Sequence, residues 1–135
     1  MNLFVDTSAF ISLSDKSDNF HLQAIEFVKS FKPNFRLYTT NFILDETITH
    51  LRIHANHLLA CCFRENIIRS PIYHIQYITS EIEEEAYNLF KKYHDKQLSF
   101  TDCTSFAIMN RLRLTTTFTF DSDFEQVGFN KLPVY

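Results

Sequence analysis

Five carboxylates carry most of the chemistry this sequence could perform. Asp6 ends the apolar run Leu3-Phe4-Val5, and Asp121 and Asp123 close the β-branched and aromatic run Thr115–Phe120. Glu46 stands one turn into the helix expected after Arg36–Thr40, and Asp102 stands at the start of another expected helix. Carboxylates drawn to one place repel each other, so a cation must neutralise them or some must keep their protons. An all-oxygen donor set selects hard cations, which makes Mg²⁺ or Mn²⁺ a better fit than zinc. Ions held this way activate water and stabilise charge on a phosphate, and the natural substrate is then a phosphodiester. Each residue also has a plainer reading. Asp6 can cap a helix, Glu46 can be a solvated helix residue beside the equally acidic Asp45, Asp102 can complement a helix dipole, and Asp121-Ser122-Asp123 can be an ordinary turn.

The elements that would position these groups alternate between strand and helix. Leu3–Val5 reads as a buried strand, with Asp6-Thr7-Ser8 capping a short helix over Ala9–Leu13. Helical spacing of Phe20, Ala24, Phe27, Val28 and Phe31 follows, ended by Pro33-Asn34. Arg36–Thr40 reads as a second strand, with Asn41 as cap of a helix whose stripe is Leu44, Ile48, Leu51, Ala55 and Leu58. That helix is expected to continue, with a bend, to Ile68, until Pro71 stops it. Ile72–Ile78 is a third strand. A helix capped by Thr79 or Ser80 then places Ile82, Ala86, Leu89, Phe90 and Tyr93 in the core, and Glu83, Glu84 and Glu85 near its positive end. Ser99 or Thr101 caps a helix from Asp102 to about Arg111. Thr115–Phe120 is a fourth strand, and Leu132–Tyr135 a possible last one. The expectation is one α/β domain over residues 1–135, a three-layer α/β/α sandwich with a mainly parallel central sheet. Ligands in such sheets bind at the carboxyl ends of the strands, where Asp6 and Asp121 fall.

A second set of residues invites a site of its own. His50, His54 and His57 follow Glu46 at i+4, i+8 and i+11 and would share one face of a continuous helix, a metal site or a solvated face. With Arg52, Arg64 and Arg69 and a single acid, Glu65, this stretch is locally basic and can line an RNA groove, with His50, Arg52, His54 and His57 as contact candidates. Lys91, Lys92, Lys96, Arg111 and Arg113 form another basic set, read as solvated helix faces and ends. The phenylalanines at helical spacing, and Tyr38, Tyr73 and Tyr77 in strands, read as packing residues rather than base-stacking ones.

Bulk properties bound these readings. The chain has 135 residues, 45% hydrophobic and 21% charged, with 15 Phe, one Gly and three Pro, which argues for order throughout. A net charge of −3 gives no bulk attraction for a polyanion, so metal ions or a local basic surface would have to hold one. Cys61, Cys62 and Cys103 are odd in number and lack a C-x-x-C spacing; they read as reduced thiols of a cytoplasmic protein, and Cys103 as buried rather than nucleophilic. No targeting or membrane-spanning stretch is visible.

Four local strings resemble the motifs of the PIN-domain ribonuclease family, in that family's order. Phe4-Val5-Asp6-Thr7-Ser8-Ala9-Phe10 resembles its opening, and Thr39-Thr40-Asn41 through Leu44-Asp45-Glu46 the segment carrying its Glu. Leu98-Ser99-Phe100-Thr101-Asp102-Cys103-Thr104-Ser105-Phe106-Ala107 is similar to the third motif. Thr119-Phe120-Asp121-Ser122-Asp123-Phe124, with Gly128-Phe129, resembles the fourth. The resemblance implies a Mg²⁺- or Mn²⁺-dependent endoribonuclease. Asp6 and Asp102 would be metal ligands, and Glu46 would hold a metal directly or through water, or orient the attacking water. Asp121 would complete the cluster, with Asp123 supporting it or serving a second metal, and Thr7 and Thr101 would orient ligands from behind. It further implies a VapC-like toxin of a type II toxin–antitoxin pair, homodimeric and inhibited by an antitoxin. The competing functions are a PIN-fold module that binds RNA or protein without catalysis, and a metal-dependent phosphatase of small molecules.

Overall fold

The computed structural model describes residues 1–135. Strand β1 (Asn2–Val5) lies at the centre of a five-stranded sheet of order β3-β2-β1-β4-β5, every pairing parallel. Its neighbours are β2 (Arg36–Thr40) and β4 (Thr116–Phe118); β3 (Tyr73–Gln76) and β5 (Asn130–Leu132) form the edges. A strand in this position is covered on both faces, which is why Leu3, Phe4 and Val5 form an unbroken apolar run with no measurable exposure. Parallel pairing needs crossovers, and these are helical: α1 (Thr7–Ser14), α2 (His21–Lys29), α3 (Asn41–His54), α4 (His57–Arg69), α5 (Ser80–Lys92), α6 (Phe100–Leu112) and the short α7 (Asp123–Gln126). Right-handed crossovers put α1 to α4 on one face and α5 to α7 on the other. This is the expected α/β/α sandwich, parallel throughout, around a cluster of 23 buried apolar residues.

Several elements depart from the sequence reading for local reasons. The long helix expected from Asn41 to Ile68 is broken. Ala55 leaves helical geometry, and Asn56 restarts the chain by accepting a 2.8 Å hydrogen bond from the Leu59 N–H. Continuity was never compatible with the core. Leu51 and Ala60 are both buried yet nine residues apart, about two and a half turns, so one straight helix would put them on opposite faces. Ala55 and Leu58 therefore belong to no stripe, and Leu58 is 71% exposed. The cap of α3 is Thr40, whose hydroxyl accepts from Ile43 N–H, while the Asn41 amide oxygen accepts from Ile78 N–H and ties down the segment after β3. β4 ends at Phe118, and β5 lies at Asn130–Leu132 rather than Leu132–Tyr135. Tyr77 lies outside β3 and is exposed, and Phe90 is 43% exposed instead of being in the core.

Candidate carboxylate site

In the strand order 3-2-1-4-5 the connections leave β1 and β4 in opposite directions, which opens a crevice beyond their carboxyl ends. Asp6 follows β1, Glu46 lies in α3 after β2, and Asp121 follows β4, so the chain delivers three carboxylates to the ends of three adjacent strands. Asp102 arrives from the opposite face, at the third position of α6. The Ser99 hydroxyl accepts from the Asp102 N–H at 2.9 Å, and the Asp102 carboxylate accepts from the Ser99 N–H at 3.1 Å. This reciprocal cap fixes the side chain at the helix start.

Asp6 is 4% exposed and its side chain makes no capping bond to α1, so the plain capping role is excluded. Its Oδ2 instead accepts from the Thr119 hydroxyl at 2.9 Å and from the Ser8 hydroxyl at 3.2 Å. Ser8 and Thr119 hydroxyls lie 2.9 Å apart, and they accept in turn from the N–H groups of Phe120 (2.9 Å) and Asp121 (3.0 Å). Two hydroxyls thus lock the Asp6 carboxylate to the backbone that presents Asp121. The hydroxyls expected in this role, those of Thr7 and Thr101, are elsewhere. Thr7 Oγ1 is buried without a partner, and Thr101 lines a recess with Glu46. Ser8 sits inside the Asp6-Thr7-Ser8 string and Thr119 opens the Thr119-Phe120-Asp121 string, but neither string gives its hydroxyl a role.

The carboxylates act on one another. Burial lifts the Asp6 carboxyl to about 7, opposed by the Thr119 hydrogen bond and reinforced by the charges of Asp102 and Asp121. Burial likewise raises Asp102 above the usual carboxylate range, with Asp121 and Glu46 adding repulsion against its two bonds to Ser99. Partial burial and then the charges of Asp121 and Asp102 push Asp123 up to about 6. Asp6, Asp102, Asp121 and Asp123 therefore share one electrostatic environment, with Glu46 at its border. Asp45 and Glu46 are both exposed and line the same recess, so their difference is that Glu46 acts on Asp102. No three Asp, Glu, His or Cys side chains stand in ligand geometry around a common point. The carboxylates repel one another, and drawing them to ligand distance of one point takes a countercharge. The donor set itself, carboxylate and hydroxyl oxygens only, suits Mg²⁺ or Mn²⁺.

Around the carboxylates run two recesses that share His50 as a wall. One, about 520 Å³, is lined by Asp45, Glu46, Thr49, His54 and Thr101 among others; the other, about 220 Å³, by Ser8, Asp18, Phe20, Phe120 and Asp121. His50 and His54 rings lie 4.4 Å apart. Arg52 is exposed on α3 and lines neither recess, and His57, at the start of α4, instead approaches Cys61 Sγ at 3.5 Å. The four basic candidates thus do not share one face. Cys103, next to Asp102, is buried, and burial together with the Asp102 charge lifts its thiol to about 11, which leaves it protonated and unreactive.

Residues 3–130 match the PIN domain family, and the chain belongs to it. It is 32% identical over 127 residues to the 23S rRNA-specific endonuclease VapC20 of Mycobacterium tuberculosis, covering 94% of this chain and 95% of that one. It is 32% identical over 127 residues to a VapC ribonuclease of Archaeoglobus fulgidus, covering 92% and 80%. The crystal structure of Mycobacterium tuberculosis VapC20, described as a sarcin–ricin loop cleaving toxin, matches at TM-score 0.88 with 31% identity over 94% of this chain and 95% of that one. FitAcB from Neisseria gonorrhoeae, at TM-score 0.72, 16% identity and coverage of 98% and 97%, shares the fold.

Proposed function

We propose that this chain is a Mg²⁺- or Mn²⁺-dependent endoribonuclease that hydrolyses RNA phosphodiester bonds and acts as the toxin of a toxin–antitoxin pair. The observation that carries the reading is the set of mutually repelling carboxylates at the strand ends, with Asp6 buried where an uncompensated charge is costly. Asp6 and Asp102 would hold the ion, Asp121 would complete its shell, and Asp123 would support it or serve a second ion. Glu46, at the solvent side, would bind through water or orient the attacking water. The ion supplies charge neutralisation at the scissile phosphate and a water of lowered pKa. The chain's own part is to hold these oxygens in place through Ser8, Thr119 and the Ser99 cap.

The 94% coverage at 32% identity with a 23S rRNA-specific endonuclease makes a structured ribosomal RNA loop the first substrate to try. An antitoxin partner, a homodimer and a cytoplasmic location belong to the same proposal; no helix is long and apolar enough to cross a membrane. A binder without catalysis would leave such an RNA intact. The test is incubation of purified protein with a 23S stem–loop. Cleavage is expected with Mn²⁺, none with EDTA, and none with Asp102→Asn; intact RNA under all conditions, or cleavage indifferent to EDTA, would sink the proposal.

Thr119→Val should separate support from ligation. Valine fills the same space but removes the hydroxyl that orients Asp6, so divalent-ion affinity is expected to fall about 10- to 100-fold with the fold intact. Calorimetric Mn²⁺ titration reads this directly; native affinity in the variant would show that Thr119 does not position Asp6.

A further inference from the structure

The C-terminal half of α5 presents aromatic rings to solvent where the core stripe was expected to continue. Tyr87 is 48% and Phe90 43% exposed, and with Tyr93, Lys91, Lys96 and Leu98 they line an open recess of about 460 Å³. Two of the rings are held from behind: Phe90 packs edge-on against Phe100 at 6.1 Å between centroids, and Tyr93 against Phe106 at 6.4 Å. Lysine ammoniums stand over the rings. Lys91 Nζ is 5.0 Å from the Tyr87 centroid, and Lys92 and Lys96 are 5.3 and 5.6 Å from that of Tyr93. No acid lines the recess itself, and the neighbouring Asp95 is taken by Lys96 at 3.3 Å. Of the acids of α5, Arg111 holds Glu81 and Glu85 at 3.0 and 2.7 Å, and Glu83 and Glu84 lie one turn before Tyr87, outside the recess.

Exposed aromatic faces under a layer of lysines, in a protein of net charge −3, make a locally basic stacking surface that bulk charge does not explain. The recess also has a position. Leu98 in its wall precedes Asp102 by four residues, and Phe90 touches the first residue of α6, so the recess adjoins the helix start that carries Asp102. We propose that this recess is a substrate exosite that takes an unpaired nucleotide flanking the cleavage point, its base stacked on Tyr87 or Phe90 and its phosphates met by Lys91 and Lys96. The proposal rests on RNA being the substrate. Charge complementarity selects a polyanion, and flat faces select one with exposed bases over duplex nucleic acid.

The test uses the full chain, a labelled single-stranded oligouridylate in EDTA for binding, and the same RNA with Mn²⁺ for cleavage. Tyr87→Ala and Phe90→Leu are expected to weaken binding about fivefold to a hundredfold, the loss of one stacked base, and to raise KM with kcat unchanged. Tyr87→Phe keeps the ring and should behave as native. Lys91→Gln and Lys96→Gln should each lower the slope of log affinity against log salt by about 0.7, whereas the aromatic variants leave that slope unchanged. Native RNA affinity and KM in both Tyr87→Ala and Phe90→Leu would overturn the exosite. So would variants that alter sedimentation while RNA affinity stays native, because the recess would then be a contact between copies of the chain. If the native protein neither binds nor cleaves RNA, the functional reading fails first and the exosite fails with it.

Discussion

Asp6→Asn is expected to abolish RNA cleavage and, without divalent ions, to make the fold more stable at pH 8. The first effect follows if Asp6 holds the ion, because losing several kcal/mol of transition-state charge stabilisation costs at least about a thousandfold in rate. The second follows from its titration. The folded-state value of about 7 lies above the ordinary 3.8, so the folded chain holds this proton more tightly than the unfolded chain does. That contribution is present in full at low pH and is lost as pH rises through about 7. Some three pH units correspond to roughly 4 kcal/mol between pH 4 and pH 8. Asparagine carries no charge at any pH, and its amide oxygen can still accept from Thr119 and Ser8. In EDTA the variant should therefore melt several degrees above the native protein at pH 8, with the gap narrowing as pH falls and closing only below about pH 4. A lower melting temperature for Asp6→Asn at pH 8 would show that the buried charge is already compensated by the protein.

Phe124→Ala is expected to cost about 3–5 kcal/mol, a large part of the 5–15 kcal/mol that holds a typical domain. Phe124 has no measurable exposure, and its ring meets Phe106 edge-on at 5.2 Å, Phe4 at 6.1 Å and Phe129 at 6.5 Å. Truncation leaves a cavity between the central strand, α6 and the last turn, which cannot collapse around β1 without moving the sheet. The same residue anchors α7, which begins at Asp123, so the loss reaches the site as well as the core. Urea unfolding should show a much lower midpoint at unchanged slope, and cleavage should fall even at temperatures where the variant stays folded. A shift below about 1 kcal/mol would mean that the cluster repacks freely.

What the sequence disclosed divides along physical lines. The opening strand and Asp6 were legible because a strand buried on both faces must be a continuous apolar run, and a charged residue at its end stands out. Asp102 was legible as a helix start, though its reciprocal bond with Ser99 became visible only in coordinates. The break at Asn56 could have been read from Leu51 and Ala60, whose spacing puts them half a turn out of phase. Tyr77 and Phe90 were misplaced because periodicity names an apolar face without saying how much of it a neighbour covers. Thr119 stands inside the fourth motif string, but its β-branched side chain suits a strand equally well, so the role of its hydroxyl is visible only in its bond to Asp6. Asp123 and Asp102 act on each other across twenty-one residues because α6 and α7 pack together on one face of the sheet, and no local pattern encodes it.

The most direct test of the account is single-turnover cleavage of a 23S stem–loop as Mn²⁺ is titrated. The native chain should show saturable dependence on Mn²⁺, Thr119→Val the same plateau at a higher concentration, and Asp102→Asn no cleavage at any concentration. Cleavage that persists in EDTA, or an Asp102→Asn protein that cuts at the native rate, would contradict a carboxylate-held metal as the centre of this enzyme.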